Sequence, residues 1–367
     1  MKQKAILLFQ LLVAAAALLA VLLLVVWFFM RIPTEGNTLA MDWKLIRPGV
    51  AGWDLTYRPE NGLRYPPWDA VLLLPLGQIP LAAGWGVVVF LTILILPLSL
   101  PREVEPGIKR IVGVFALVLA YPTLRTIADG NIEFLILGGL VLLEYGLYSE
   151  NLVVFTAGVL LSAAKIQETW VLLIFLPLLA GKKWNLHRGA AVVGALALVV
   201  LPAMVWKGRD WLLSMFTSPF KGSVMDSALL TAIQRLGTAP AAAFLVWAAV
   251  FGLTIVLGAK YVRGYSRDAV GFLTAGSLLL APYASSNNFI IPYAFGVVPI
   301  LLARRWEGVV LAVLANLPYL LLSSRDVLYQ YSAVYWTFVM ALAWILFALR
   351  LRNKKEGIEP GSPAAGP

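Results

Sequence analysis

The sequence predicts an all-α polytopic membrane protein of about twelve transmembrane helices, with short interfacial helices in its outer loops. Three observations predict it. Of the 367 residues, 60% are hydrophobic and only 13% charged, against roughly 45–50% and about 25% in a soluble domain. The mean hydropathy is +0.84. The apolar residues gather into successive runs, several near the ~20 residues that cross a hydrocarbon layer, and short loops of Lys, Arg, Pro and Gly separate them.

The first run, residues 5–29, follows Met-Lys-Gln-Lys. It is too long for a signal-peptide core and no A-x-A site follows it, so it reads as an uncleaved span. The run 69–99 exceeds one plain span. Pro75 and Pro80 divide it into a short interfacial helix and the span proper. Further runs lie near 111–123, 131–147, 151–164, 169–180, 189–206, 238–259, 270–284, 289–303, 308–322 and 332–349.

With spans alternating, every strong basic cluster falls on one side: Lys2/Lys4, Arg102/Lys109/Arg110, Lys182/Lys183/Arg188, Lys260/Arg263/Arg267, Arg304/Arg305 and Arg350–Lys355. By the positive-inside rule that side is the cytoplasm, and both termini share it. The three runs within 131–180 are short. The loops at 122–130 and 182–188 lie on opposite sides, so an odd number of crossings joins them. About fifty residues at 1.5 Å each overfill one helix, which favours three short or tilted spans. The chain thus reads as one transmembrane domain, 1–352, with long outer loops at 31–68 and 207–237. A Pro/Gly-rich tail, 353–367, is disordered by composition. The setting is a plasma membrane, and the anchor and lack of cysteine suit a bacterial one.

Composition also narrows the chemistry. There is no cysteine and one histidine, which excludes disulfides, thiol nucleophiles and imidazole clusters. That histidine, His187, stands among Lys182, Lys183 and Arg188 in a cytoplasmic loop and receives no role. The net charge of +10 falls mostly on the cytoplasmic loops. It is a topological signal, not the footprint of a nucleic-acid partner.

More than half of the acids fall on the outer side, interleaved with Trp, Tyr, Asn and Pro. Such a surface suits sugars, because aromatic faces stack on a pyranose while amides and carboxylates bond its hydroxyls. Aromatics also belt any membrane interface. The loop 31–68 is the richest, with Asp42, Asp54, Arg64 and Tyr65. A carboxylate held there can act as general base, and an arginine can bind a phosphate; a loop acid is equally a solvated one. Asp69 follows Pro-Pro at a helix start, where an acid complements the dipole. Lys165 stands between two apolar segments and either meets a phosphate or pairs with Glu168, three residues on. Asp226–Leu236 reads as a short amphipathic helix with Asp226 as N-cap. Its Arg235 either snorkels to lipid phosphate or serves a donor. Arg125 and Asp129 are expected to pair.

The loop resembles the pattern of glycosyltransferase family 87, membrane enzymes of the GT-C superfamily that includes polyprenol-phosphate-mannose-dependent mannosyltransferases. The resemblance lies in Asp42-Trp43, Gly52-Trp53-Asp54-Leu55-Thr56-Tyr57 and Arg64-Tyr65-Pro66-Pro67. It continues in Gly130-Asn131-Ile132-Glu133, Ala164-Lys165, Asp226-Ser227-Ala228-Leu229 with Arg235, and Pro282–Asn288. It covers roughly 35–300, in order and all on the outer side. Four positions depart from the family pattern: Asn131 and Glu133 replace Gln and Asn, Asp226 replaces Asn, and no histidine stands near Asn287 and Asn288.

The resemblance implies a GT-C-like hexosyltransferase. It would move a mannose-like hexose from a polyprenyl-phosphate donor to an acceptor hydroxyl on a glycan or glycolipid, with inversion. Asp42 is implied as catalytic base. Asp54, Arg64, Tyr65, Asn131, Lys165, Arg235 and Asn288 are implied as substrate-binding residues. Asp54 is read as a supporting hydrogen-bond partner, with a metal-binding pair as the alternative. Phosphate leaves as a stable anion, so no metal or other cofactor is expected. The rival readings are a twelve-span secondary transporter or lipid-carrier flippase, and a non-catalytic family member serving as a membrane scaffold.

Overall fold

The computed structural model describes residues 2–52, 57, 63–181, 184–216, 226–320 and 325–356, and every regular element among them is helical. Asp54 and the tail from 357 onward lie outside the described residues, as do 217–225 within the second long loop. Six helices are long and apolar enough to cross a membrane: Leu8–Phe29, Leu81–Ser99, Leu152–Ile174, Leu186–Ser214, Pro240–Tyr261 and Tyr331–Lys355. A bent pair, α5 (Ile108–Val118) and α6 (Tyr121–Asp129), makes a seventh if its 52° bend lies within one span. The total is below the expected twelve because several apolar runs form short helices. Among these are α7 (Glu133–Ser149), 17 residues long, and α14 (Arg267–Leu279), 13 residues long.

The region 131–180 shows how short helices fill the bundle. Helix α7 packs against α8 (Leu152–Ser162), and glycines let their backbones touch. A Cβ on Gly158 would lie 2.3 Å from the Leu143 nitrogen, and one on Gly139 would lie 2.4 Å from that of Ser162. Asn151 caps α8 by accepting from the Val153 and Val154 amides, both at 3.1 Å.

The stretch 152–174 passes as one span by length and composition, yet it reverses. Lys165 leaves helical geometry (φ −124°, ψ 83°) before α9 (Ile166–Ile174). The Thr169 hydroxyl then donates to the Ser162 carbonyl at 2.5 Å, where a straight helix would separate seven residues by about 10.5 Å. Beyond the turn, the Val171 amide donates to Ser277 Oγ of α14 at 3.1 Å. Phe175 abuts Gly258 near the end of α13 (Pro240–Tyr261).

Other boundaries differ from the sequence reading. The first outer loop contains a helix, α2 (Met41–Val50), ahead of the short α3 (Pro67–Gly77). Helix α11 (Leu186–Phe216) runs ten residues into what reads as the second loop, and the last helix, Arg325–Lys355, extends into the tail. Helix α12 (Leu229–Arg235) has Ala228, not Asp226, at its N-cap; Asp226 instead accepts from the Ala228 amide at 3.1 Å and the Thr231 hydroxyl at 2.7 Å.

Charged groups collect at two ends. One end holds Asp42, Asn131, Glu133, Lys165 and Glu168. The opposite end holds Arg267 with Glu144 at 2.5 Å, Arg350 with Asp268 at 2.9 Å, and Arg188 with Glu150 at 2.9 Å. Between them the helices turn apolar side chains outward, as lipid requires. The Leu8–Phe29 window of α1 (Lys2–Phe29) has none of its residues buried.

Candidate active site

Asp42 occupies the first turn of α2. Ala40 starts that helix in the left-handed region (φ 53°), and its amide donates to the Ala128 carbonyl at 2.7 Å. Trp43 is wholly buried and anchors the turn, its indole N–H donating to the Leu81 carbonyl at 3.1 Å. The Trp43 ring seats against Gly84 at the start of α4 (Leu81–Ile95), and its Cβ abuts Gly130, which ends α6 with φ +68°. Buried Trp43 and half-buried Asp42 are neighbours, so the anchor fixes the carboxylate at the rim of the bundle.

Two amides hold one oxygen of that carboxylate. Asn131 Nδ2 donates to Asp42 Oδ2 at 2.8 Å, and Asn287 Nδ2 donates to the same oxygen at 3.2 Å. Oδ1 accepts no hydrogen bond from a described residue. Burial raises the Asp42 carboxyl above its ordinary value. Lys165 pulls it back, Glu133 pushes it up, and Arg125 and the Asn131 amide lower it. A carboxylate raised toward neutrality is a better proton acceptor.

Below this pair lies a buried ionic cluster. Lys165, 4% exposed, donates to Asn131 Oδ1 at 3.1 Å, to Glu133, and to Glu168 at 2.7 Å. Three acceptors complete the donor capacity of an ammonium. Asn288 bridges the two acids, donating to Glu133 at 2.9 Å and Glu168 at 2.7 Å. Its own oxygen accepts from the Ser285 amide at 2.7 Å. Tyr65 turns its ring toward Lys165, 6.0 Å from ring centre to nitrogen, and its carbonyl accepts from the Tyr57 hydroxyl at 2.6 Å. Burial raises the hydroxyls of Tyr57 and Tyr65 above the ordinary phenol value.

The structure therefore brings together Asp42, Tyr65, Asn131, Lys165 and Asn288, residues from five separate stretches of the chain. Arg64 stands beside them, its carbonyl accepting from the Trp211 indole at 3.0 Å and its guanidinium donating to Leu63 at 2.8 Å. Arg235 is exposed at the end of α12 and belongs to no part of this cluster that the described residues show. Arg125 and Asp129 pair at 2.9 Å.

Asp69 stands in the first turn of α3, as the sequence predicts. The sequence does not show that it is buried: it is 0% exposed, and neither carboxylate oxygen has a hydrogen-bond partner among the described residues. Glu168 pairs with Lys165, one of the two readings its spacing allows, and Glu133, Asn287 and Ser285, which the sequence reading gives no site role, complete the network. Only Glu168 carried a usable signal, its i+3 spacing from Lys165.

The family model for glycosyltransferase family 87 matches residues 63–286. No curated protein and no solved structure matches the chain. The matched stretch holds Tyr65, Asn131, Glu133, Lys165, Glu168 and Ser285; Asp42 precedes it, and Asn287 and Asn288 follow directly. With well over half of its residues inside that match and an inward-facing polar cluster built from them, the chain belongs to glycosyltransferase family 87.

Proposed function

We propose that the protein transfers a mannose-like hexose from a polyprenyl-phosphate donor to an acceptor hydroxyl on a glycan or glycolipid, inverting the anomeric centre, with Asp42 as general base. One observation carries this reading: Asp42 is clamped through Oδ2, while Oδ1 stands open at one end of an apolar bundle. In the step, the acceptor hydroxyl gives its proton to Asp42 Oδ1, and its oxygen bonds the anomeric carbon. The carbon–oxygen bond to phosphate breaks, and its electron pair leaves with the phosphate. Cations and amide donors would offset the charge that develops there. Arg64, adjacent to Tyr65, and interfacial Arg235 are assigned to that phosphate. Lys165 and Asn288 contribute through the buried cluster, Tyr65 offers an aromatic face, and Asp54 is assigned to the acceptor side of the same loop. No metal or other cofactor enters this step.

Twelve crossings with both termini in the cytoplasm fit the contacts described. Successive apolar segments alternate between the Asp42 end and the end carrying Arg267, Arg350 and Arg188. The basic residues at that second end favour the cytoplasm, which puts Asp42 on the outer face of a plasma membrane. A transporter or lipid-carrier flippase is not favoured, because the family is one of glycosyltransferases and the polar cluster is confined to one end.

The test is Asp42→Asn, purified in lipid nanodiscs and assayed with labelled polyprenyl-phosphate mannose and a membrane glycolipid extract. Loss of about 10²–10⁴-fold in turnover is expected for a general base. Near wild-type turnover would overturn the assignment.

A further inference from the structure

The cluster beneath Asp42 has a polarity that the chemistry of its members dictates. An asparagine amide has a donating end and an accepting end. On Asn131, one end faces Asp42, which as a carboxylate only accepts, and the other faces the Lys165 ammonium, which only donates. One orientation satisfies both neighbours; the flipped amide would set oxygen against carboxylate and N–H against ammonium. Asn287 stands likewise between Asp42 and the Ser285 hydroxyl, which donates to Asn287 Oδ1. Ser285 is in turn fixed by the chain: its amide bonds Asn288 Oδ1, and Asn288 is anchored on Glu133 and Glu168. The same two acids hold Lys165 in place.

The geometry points to Lys165 and Ser285 as positioning residues that set the polarity of two asparagine amides, so that both amide nitrogens grip Asp42 Oδ2 and leave Oδ1 as the oxygen that takes the proton. This rests on the reading of Asp42 as the base. Neither residue touches the substrate in this role. Lys165, with three protein acceptors, acts through Asn131; Ser285 acts through Asn287. The division of the carboxylate fixes which lone pairs meet the acceptor hydroxyl, and orientation of that kind can contribute a large share of a rate.

The pH dependence of activity distinguishes positioning from mere support. Amide donors stabilise the charged carboxylate, so weakening one raises the value at which Asp42 titrates. The other charged or titratable groups facing Asp42 are Lys165, Glu133, Arg125, Asp129, Tyr65 and Tyr283, and all are retained in a Ser285 variant. A hydrogen bond worth about 1 kcal/mol corresponds to about 0.7 of a pH unit.

Ser285→Ala should lower kcat about tenfold, leave the KM for labelled polyprenyl-phosphate mannose within about twofold, and move the acid limb of kcat/KM upward by about half a unit. Ser285→Thr keeps the hydroxyl and should restore both. Asn287→Asp, nearly isosteric, sets a second carboxylate against Asp42 and should move the acid limb upward by about one unit or more. Unmoved acid limbs in Ser285→Ala and Asn287→Asp, with Asp42→Asn inactive, would overturn the clamp and leave Asp42 as base. Failure of Ser285→Thr to restore what Ser285→Ala loses would overturn it too. An active Asp42→Asn would overturn the base and the clamp together.

Discussion

Gly130 and Trp43 stand so close that a Cβ on the glycine would lie 2.8 Å from the Trp43 Cβ. The contact couples two pieces of the site, because Trp43 follows Asp42 and Gly130 precedes Asn131. Gly130 also adopts φ +68° to end α6, a conformation that costs an L side chain roughly 1–2 kcal/mol. Gly130→Ala is therefore expected to be destabilised by about 2 kcal/mol or more and to lose at least about tenfold in turnover as Asn131 moves off Asp42. Thermal unfolding of the detergent-solubilised protein and donor turnover measure the two effects. Wild-type values for both would show that α2 and α6 yield to each other freely.

Lys165 pairs with two acids in the bundle interior. Lys165→Met leaves Glu133 and Glu168 facing each other without a cation, and breaking a buried ion pair on one side costs about 3–5 kcal/mol. The variant should unfold at a clearly lower temperature. Adding Glu168→Gln removes one of the stranded charges and should recover part of the loss. If Lys165→Met unfolds like wild type, the ammonium is not what holds the acids together.

The members of this cluster were unequally visible in the sequence. Asp42, Asn131 and Lys165 stand at chain punctuation: an aromatic pair, a glycine, the end of a small-residue run. Glu133 and Asn287 do not announce themselves, because their partners come from distant stretches: Lys165 for Glu133, and Asp42 for Asn287. Helix α2 was hidden in a polar loop containing Pro48, a residue that argues against a helix interior. The buried Trp43, Ile46 and Val50 nevertheless follow its period. The apolar runs 151–164 and 169–180 part at Lys165, and the chain reverses there, as three short spans across 131–180 require. What hydropathy leaves hidden is how the turn is held: by a side chain, Thr169, that reads as one more residue of an apolar run.

Asp69 offers a pH test of the fold. Burial without a partner holds its carboxyl well above the usual carboxylate range. The folded protein then keeps a proton that the unfolded chain releases near pH 3.8. The unfolded state binds fewer protons across that window, so this group's contribution to stability falls as pH rises. Asp69→Asn removes the penalty with a neutral group of similar shape. Its unfolding temperature should exceed wild type by more at pH 8 than at pH 5. A difference independent of pH would mean that Asp69 ionises alike in both states.

The absence of cysteine makes the proposed sidedness directly measurable, since any introduced thiol is the only one. Glu35 is exposed near Lys44, which bonds the Asn37 carbonyl at 3.0 Å at the Asp42 end. Glu105 is exposed at the opposite end, a few residues past Ser99, whose carbonyl accepts from Arg267 at 2.6 Å. In intact cells, Glu35→Cys should react with a membrane-impermeant maleimide, and Glu105→Cys should react only after permeabilisation. The converse pattern would turn the Asp42 end to the cytoplasm, where nucleotide-activated sugars are made, and remove the main reason for a lipid-linked donor. Labelling of both thiols in intact cells would mean that the two ends are not separated by the bilayer. The orientation thus decides more than topology: only an outward-facing Asp42 makes polyprenyl phosphate the natural carrier of the sugar.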